Sequence, residues 1–152
     1  MTGDHERGTM SREYPARPII GVGTVVWHGD RVLLVQRGRP PRQGQWSLPG
    51  GAQQLGESLA EAARREVLEE TGITVDLGDV IATVDSIERD TDGRVRYHYT
   101  LIDFTAEAQT AALVPGDDAA DARWFEPHQI EGLGLWSETL RIIELARARR
   151  SR

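Results

Sequence analysis

The chain has 152 residues, 39% apolar and 28% charged, the make-up of one folded globular unit with a core of its own. It contains no Cys, and all 18 basic residues are Arg; thiolate nucleophiles, cysteine-bound metals, Schiff-base lysines and the lysine of a P-loop are therefore excluded. The net charge of −6 divides into zero over 1–17, +4 over 141–152 and −10 between them, so no duplex nucleic acid partner is expected, and a polyanionic ligand calls for a divalent cation or local Arg.

Residues 1–17 carry no apolar segment and read as a flexible N-terminal arm, without the pattern of a secretory signal. No run approaches the ~18 apolar residues of a membrane span, so the expected location is the cytoplasm, with no membrane partner. We expect one domain over 18–152. Ile19 to Trp27 and Arg31 to Arg37 alternate as strands around His28-Gly29-Asp30, a hairpin pattern. Residues 38–56 are rich in Gly and Pro and read as loop. Ser58 followed by Glu61 is a capping box, residues 59–71 favour helix, and Gly72 supplies the stop. Val75 to Asp90 and Arg94 to Phe104 read as strands about Asp92-Gly93. A loop through Pro115-Gly116-Asp117-Asp118, a short strand at Arg123 to Phe125 and an amphipathic helix from Leu135 to Arg149 complete the order.

The helix over 59–71 carries the chemistry. At 100° per residue, Glu66, Glu69 and Glu70 share an arc of about a quarter turn, beside the apolar stripe of Leu59, Ala63 and Val67. Glu66 and Glu70 are like charges at i, i+4, a spacing that costs roughly 0.2–0.5 kcal/mol even in water. A solvated acidic face would place Arg three or four residues away. Glu61 has such a partner in Arg65, which also reaches towards Glu69; Glu66 and Glu70 have none. Clustered oxygens without counter-charge suit a hard cation such as Mg²⁺.

Gly51, Glu57 and the run Arg65-Glu66-Val67-Leu68-Glu69-Glu70-Thr71-Gly72-Ile73 resemble the Nudix box, G-x5-E-x7-R-E-U-x-E-E-x-G-U with U apolar, at every specified position. Trp46-Ser47-Leu48-Pro49-Gly50 looks like the usual approach to it. The resemblance implies an α/β fold, a Nudix-type α/β/α sandwich around a mixed sheet. It also implies hydrolysis of a nucleoside diphosphate linked to another moiety, with Mg²⁺ or Mn²⁺ as cofactor. It makes Glu66, Glu69, Glu70 and the Gly50 carbonyl metal ligands, and Arg65 and Glu57 the residues that orient them. Gln54 departs from the acidic residue that many members carry three positions before the first box glutamate.

Four positions outside the box are weighed on the same footing. Arg37 and Arg39 end a strand before the Gly-rich loop and are candidate phosphate contacts; an exposed strand end explains Arg39 better. In related proteins a carboxylate from the loop before Trp124 approaches the metals, which singles out Asp118, although paired Asp also suits a plain turn. His98 in an alternating strand reads as a packing residue. The branch most resembled is that of ADP-ribose pyrophosphatases, which yield AMP and ribose 5-phosphate. Glu88 stands where some ADP-ribose hydrolases carry proline. The alternatives are a pyrophosphohydrolase of normal or oxidised dNTPs and, in another class, a Nudix-fold nucleotide sensor without turnover. The expected partner is a small nucleotide, and a homodimer is left open.

Overall fold

The computed structural model describes residues 11–40, 42–117 and 119–150. Strands β1 (Ile19–His28) and β2 (Arg31–Arg37) form the expected hairpin, followed by β3 (Trp46–Ser47), β4 (Gly50–Ala52) and helix α1 (Leu59–Thr71). Then come β5 (Val75–Arg89), β6 (Val95–Ala108), β7 (Ala119–Phe125), α2 (Pro127–Ile130), a 3-10 turn (Glu131–Leu133) and α3 (Ser137–Arg150).

Strand β1 organises a mixed sheet. On one side it runs parallel to β6, from Ile19 opposite Tyr99 to Trp27 opposite Glu107. On its other side the first half pairs antiparallel with β4, Gly23 opposite Gly50, and the end pairs with β2, Trp27 opposite Val32. Strand β2 passes the sheet on to β7 and holds β3, while β5 lies antiparallel along β6.

The two faces of β1 bury different helices, because side chains alternate along a strand. Val22 packs with Ile102, Phe104 and the α1 residues Ala62 and Ala63, and Val26 packs with Leu33, Val35 and Val67. Val25 and Trp27 meet Val32, Leu34 and the α3 residues Ile142, Ile143 and Ala146. The sheet is thus covered by α1 on one face and α3 on the other, the expected α/β/α sandwich.

Several boundaries move for physical reasons. The loop expected over 38–56 contains β3 and β4, whose two and three residues are strands only because β2 and β1 offer them open edges. Strand β6 continues to Ala108 because β1 pairs with it as far as Glu107. Residues 127–133, for which the sequence named no element, form α2 and the 3-10 turn, and α3 begins at Ser137, two residues later than expected. Of the N-terminal arm, 11–17 lie within the described residues. Here Tyr14 donates its hydroxyl to Asp90 at 2.7 Å and its amide to the Arg96 carbonyl, tying this stretch to the β5–β6 tip.

Candidate active site

Helix α1 is fixed at both ends. Ser58 Oγ accepts from the Glu61 amide at 3.0 Å, and Glu61 accepts from the Ser58 amide at 2.8 Å, so the capping box is complete. At the other end Gly72 takes φ 74°, a left-handed stop that suits glycine, and donates to the Leu68 carbonyl. The loop before β7 caps what remains: Val114 donates to the Thr71 carbonyl at 2.8 Å and Gly116 to that of Glu70 at 3.1 Å. A side chain at Gly116 would collide with the Glu69 carbonyl, so only glycine lets this loop close on the helix.

Arg65 is the hub of the box. Its guanidinium binds Glu57 through both nitrogens of one edge, at 2.6 and 3.0 Å. It also donates to Glu66 at 2.8 Å, to Glu69 at 3.3 Å and to the Ala52 carbonyl at 3.1 Å. The expected Arg65–Glu61 pair does not form, because Glu61 spends its carboxylate on the cap. Glu66 does have a basic partner, its immediate neighbour Arg65, which a search at helical spacing passes over. The Arg65 hydrogen bonds, and then the Gln54 amide, hold the Glu57 carboxyl below the usual range. Gln54, where many relatives are acidic, contributes that backbone amide.

The remaining carboxylates crowd. Glu70 is largely buried; burial first, then its hydrogen bond to Glu66 and the charge of Glu66, push its pKa well up, against an amide bond from Gly50 at 3.3 Å. Two carboxyl groups share a hydrogen bond only when one holds a proton. A Cβ on Gly51 would lie 2.5 Å from Glu66 Oε2, so glycine is what lets β4 press against this carboxylate. Glu69 is more than half exposed and leans to Arg65. Among the described residues no three carboxylates already converge on one point.

The donor set fits a divalent cation: oxygen-only, in surplus negative charge, with burial and Glu66 opposing a charge on Glu70 that a cation would stabilise. Glu66, Glu69 and Glu70 would hold the ion, with the Gly50 carbonyl at their side. When bound there, such an ion would supply charge to offset pyrophosphate oxygens and to acidify a water. Arg65 and Glu57 hold the carboxylates in place.

Of the outlying candidates, Arg37 is exposed at the end of β2, with its amide bonded to the Gln45 carbonyl and its guanidinium 3.5 Å from that of Pro40. It pairs with Ala119, whose amide bonds Gly116, the residue seated on Glu70. This chain of contacts brings Arg37 to the glutamate end of the sheet. Arg39 is exposed in the loop beyond it. Asp118 lies outside the described residues. His98 is half-buried opposite Ile87, as a packing residue would be.

The family description NUDIX domain matches residues 17–145. The chain belongs to this family. It is 30% identical over 123 residues to an ADP-ribose pyrophosphatase of Methanocaldococcus jannaschii, covering 81% of this chain and 70% of that one. It is 31% identical over 110 residues to an oxidized purine nucleoside triphosphate hydrolase of Danio rerio, covering 72% and 67%. Among solved structures, the NUDIX domain of Shewanella oneidensis NrtR complexed with ADP ribose aligns over 99% of both chains at a TM-score of 0.71 and 26% identity. As a Nudix hydrolase with an intact box, the chain hydrolyses a pyrophosphate bond. Nudix hydrolases use divalent metals, in keeping with the carboxylate cluster. No helix among the described residues is long and apolar enough to cross a membrane.

Proposed function

We propose that this Nudix hydrolase cleaves ADP-ribose to AMP and ribose 5-phosphate with Mg²⁺ held by Glu66, Glu69 and Glu70. The observation that carries the reading is the end-to-end match to a Nudix domain whose solved structure holds ADP ribose, together with the similarity to an archaeal ADP-ribose pyrophosphatase. Asp118, singled out by the sequence, is the proposed further carboxylate, and Arg37 the contact for the phosphate that the ion leaves uncovered. In a chain without Lys, an extended diphosphate is gripped by the ion, backbone N–H groups and Arg. The Danio rerio relative supports one competing reading, an oxidised purine triphosphate as substrate.

The deciding experiment measures kcat/KM for ADP-ribose, dGTP and 8-oxo-dGTP at one Mg²⁺ concentration and identifies the products. A preference for ADP-ribose with AMP released supports the reading; a preference for either triphosphate with pyrophosphate released overturns it. Loss of a charged hydrogen bond costs roughly 1.5–3 kcal/mol, so Arg37→Ala should lower kcat/KM about 10–150-fold. An unchanged kcat/KM would remove Arg37 from the phosphate site.

A further inference from the structure

Thr24 on β1 is 1% exposed, and its Oγ1 is buried without a hydrogen-bond partner among the described residues. Valine has the same shape and would fill the space with no polar group to satisfy. Folding therefore buries a hydroxyl at a cost that a partner would offset.

The position of Thr24 says what that partner is. Side chains alternate along β1, and Val22 and Val26 on either side of Thr24 pack on α1, against Ala62 and Ala63 and against Val67. Thr24 thus faces the stretch of α1 between Ala63 and Val67, which carries Glu66 and, one turn on, Glu70. One peptide unit then joins Thr24 to Glu70. Its carbonyl, that of Pro49, accepts from the Thr24 amide at 3.1 Å, and its N–H, that of Gly50, donates to Glu70 Oε1 at 3.3 Å. A Cβ on Gly50 would collide with the Val22 carbonyl, so glycine is what lets this peptide close on β1.

Glu70 is short of donors. Arg65 serves Glu57, Glu66 and Glu69 but not Glu70. The Gly50 amide is its one N–H donor among the described residues, and Glu66 beside it opposes its charge. A buried carboxylate that must stay ionised to hold a cation is favoured by each further hydrogen bond it accepts.

We propose that Thr24 is a positioning residue of the metal site: with the ion bound, its hydroxyl donates to the Glu70 carboxylate and fixes that side chain as a ligand. The proposal rests on Glu66, Glu69 and Glu70 as the ligands and is independent of which nucleotide is cleaved.

The test is calorimetric titration of Mg²⁺, with Mn²⁺ as a second probe, into metal-stripped wild type, Thr24→Val, Thr24→Ser and Glu70→Gln. Thermal melts of the same metal-free proteins accompany it. Thr24→Val keeps the shape and removes the donor. Its Kd for Mg²⁺ should rise about 10–100-fold, as when residues behind metal ligands are lost. Its metal-free Tm should equal or exceed that of the wild type, because the substitution removes an unmet hydroxyl and breaks no bond. Thr24→Ser keeps the hydroxyl and should bind the ion about as tightly as the wild type. A wild-type Kd in Thr24→Val, with binding lost in Glu70→Gln, would overturn the proposal and leave the glutamate assignment standing. Unchanged binding in Glu70→Gln would overturn both, whatever Thr24→Val does. Binding as weak in Thr24→Ser as in Thr24→Val, or a lower metal-free Tm in Thr24→Val, would make Thr24 a packing residue and overturn the proposal as well.

Discussion

At the scale of single residues, Arg65 and Glu70 do opposite jobs in one cluster. Arg65 makes five hydrogen bonds to Glu57, Glu66, Glu69 and the Ala52 carbonyl, and no single one explains its place. A lysine offers a point charge on a flexible stem and cannot bridge the same set. Arg65→Lys should therefore behave much like Arg65→Ala, with Mg²⁺ affinity and turnover falling about 10–100-fold, as when residues behind metal ligands are lost. Activity titrated against Mg²⁺ measures both, and a lysine variant at the wild-type rate would reduce Arg65 to a surface charge. Glu70 is the reverse case, a carboxyl in which burial and Glu66 oppose the charge the metal needs. In Glu70→Gln, kcat should fall by orders of magnitude. Saturating Mg²⁺ at 100 Kd stabilises a site by about 2.7 kcal/mol, so it should raise the wild-type Tm by roughly 5–10 °C and leave the variant's almost unmoved. An equal Tm shift in both proteins would place the ion elsewhere.

At the scale of the element, α1 separates into an end that holds the fold and an end that holds the chemistry. Ser58→Ala removes one capping bond at the far end, costs about 1 kcal/mol and should lower Tm by roughly 2–4 °C with kcat within about twofold of wild type. Gly116→Ala acts at the near end, where its new methyl meets the Glu69 carbonyl and lifts the capping loop from Thr71 and Glu70. It should lower kcat more than Ser58→Ala does; similar rates for the two would mean that the loop does not hold the glutamates. This helix was legible in the sequence because its signals are local: a cap, a stop and carboxylates spaced on one arc. The partner of Glu66 was not, since Arg65 reaches it from the adjacent position, where two helical side chains are not expected to face each other. Strands β3 and β4 were illegible for another reason. Trp46-Ser47 and Gly50 to Ala52 have little strand character of their own, and pairing comes from edges distant in sequence.

At the scale of the whole molecule, the sheet separates two kinds of acidic group: the glutamates, bonded by Arg65 and the Gly50 amide, towards α1, and Asp103, which no described hydrogen bond engages, towards α3. The second was hidden because Asp103 is one of several polar residues along β6, with Arg96, His98, Thr100, Thr105 and Glu107, and only the parallel β1–β6 register, a contact between distant segments, sets it opposite Gly23. Its position has a consequence for stability that requires no substrate. Burial, opposed by Arg141 and reinforced by Glu138, raises the Asp103 pKa to about 6 from the ordinary 3.8. The folded state holds its proton more tightly than the unfolded chain does, so the associated stability is full below about pH 3.8 and is lost as pH rises through about 6. At pH 7 and above, the fold carries the desolvated charge at a cost on the order of 2–3 kcal/mol, since each pKa unit is worth about 1.36 kcal/mol. Asp103→Asn keeps the shape and drops the charge. Its Tm should exceed that of the wild type by roughly 4–10 °C at pH 7.5, and the gap should narrow towards pH 4, where the wild-type carboxyl is protonated. Thermal melts of the two metal-free proteins across that range, read by circular dichroism, would show it. A gap that stayed constant with pH, or a variant less stable at pH 7.5, would mean that Asp103 is not a charge the fold bears at its own expense.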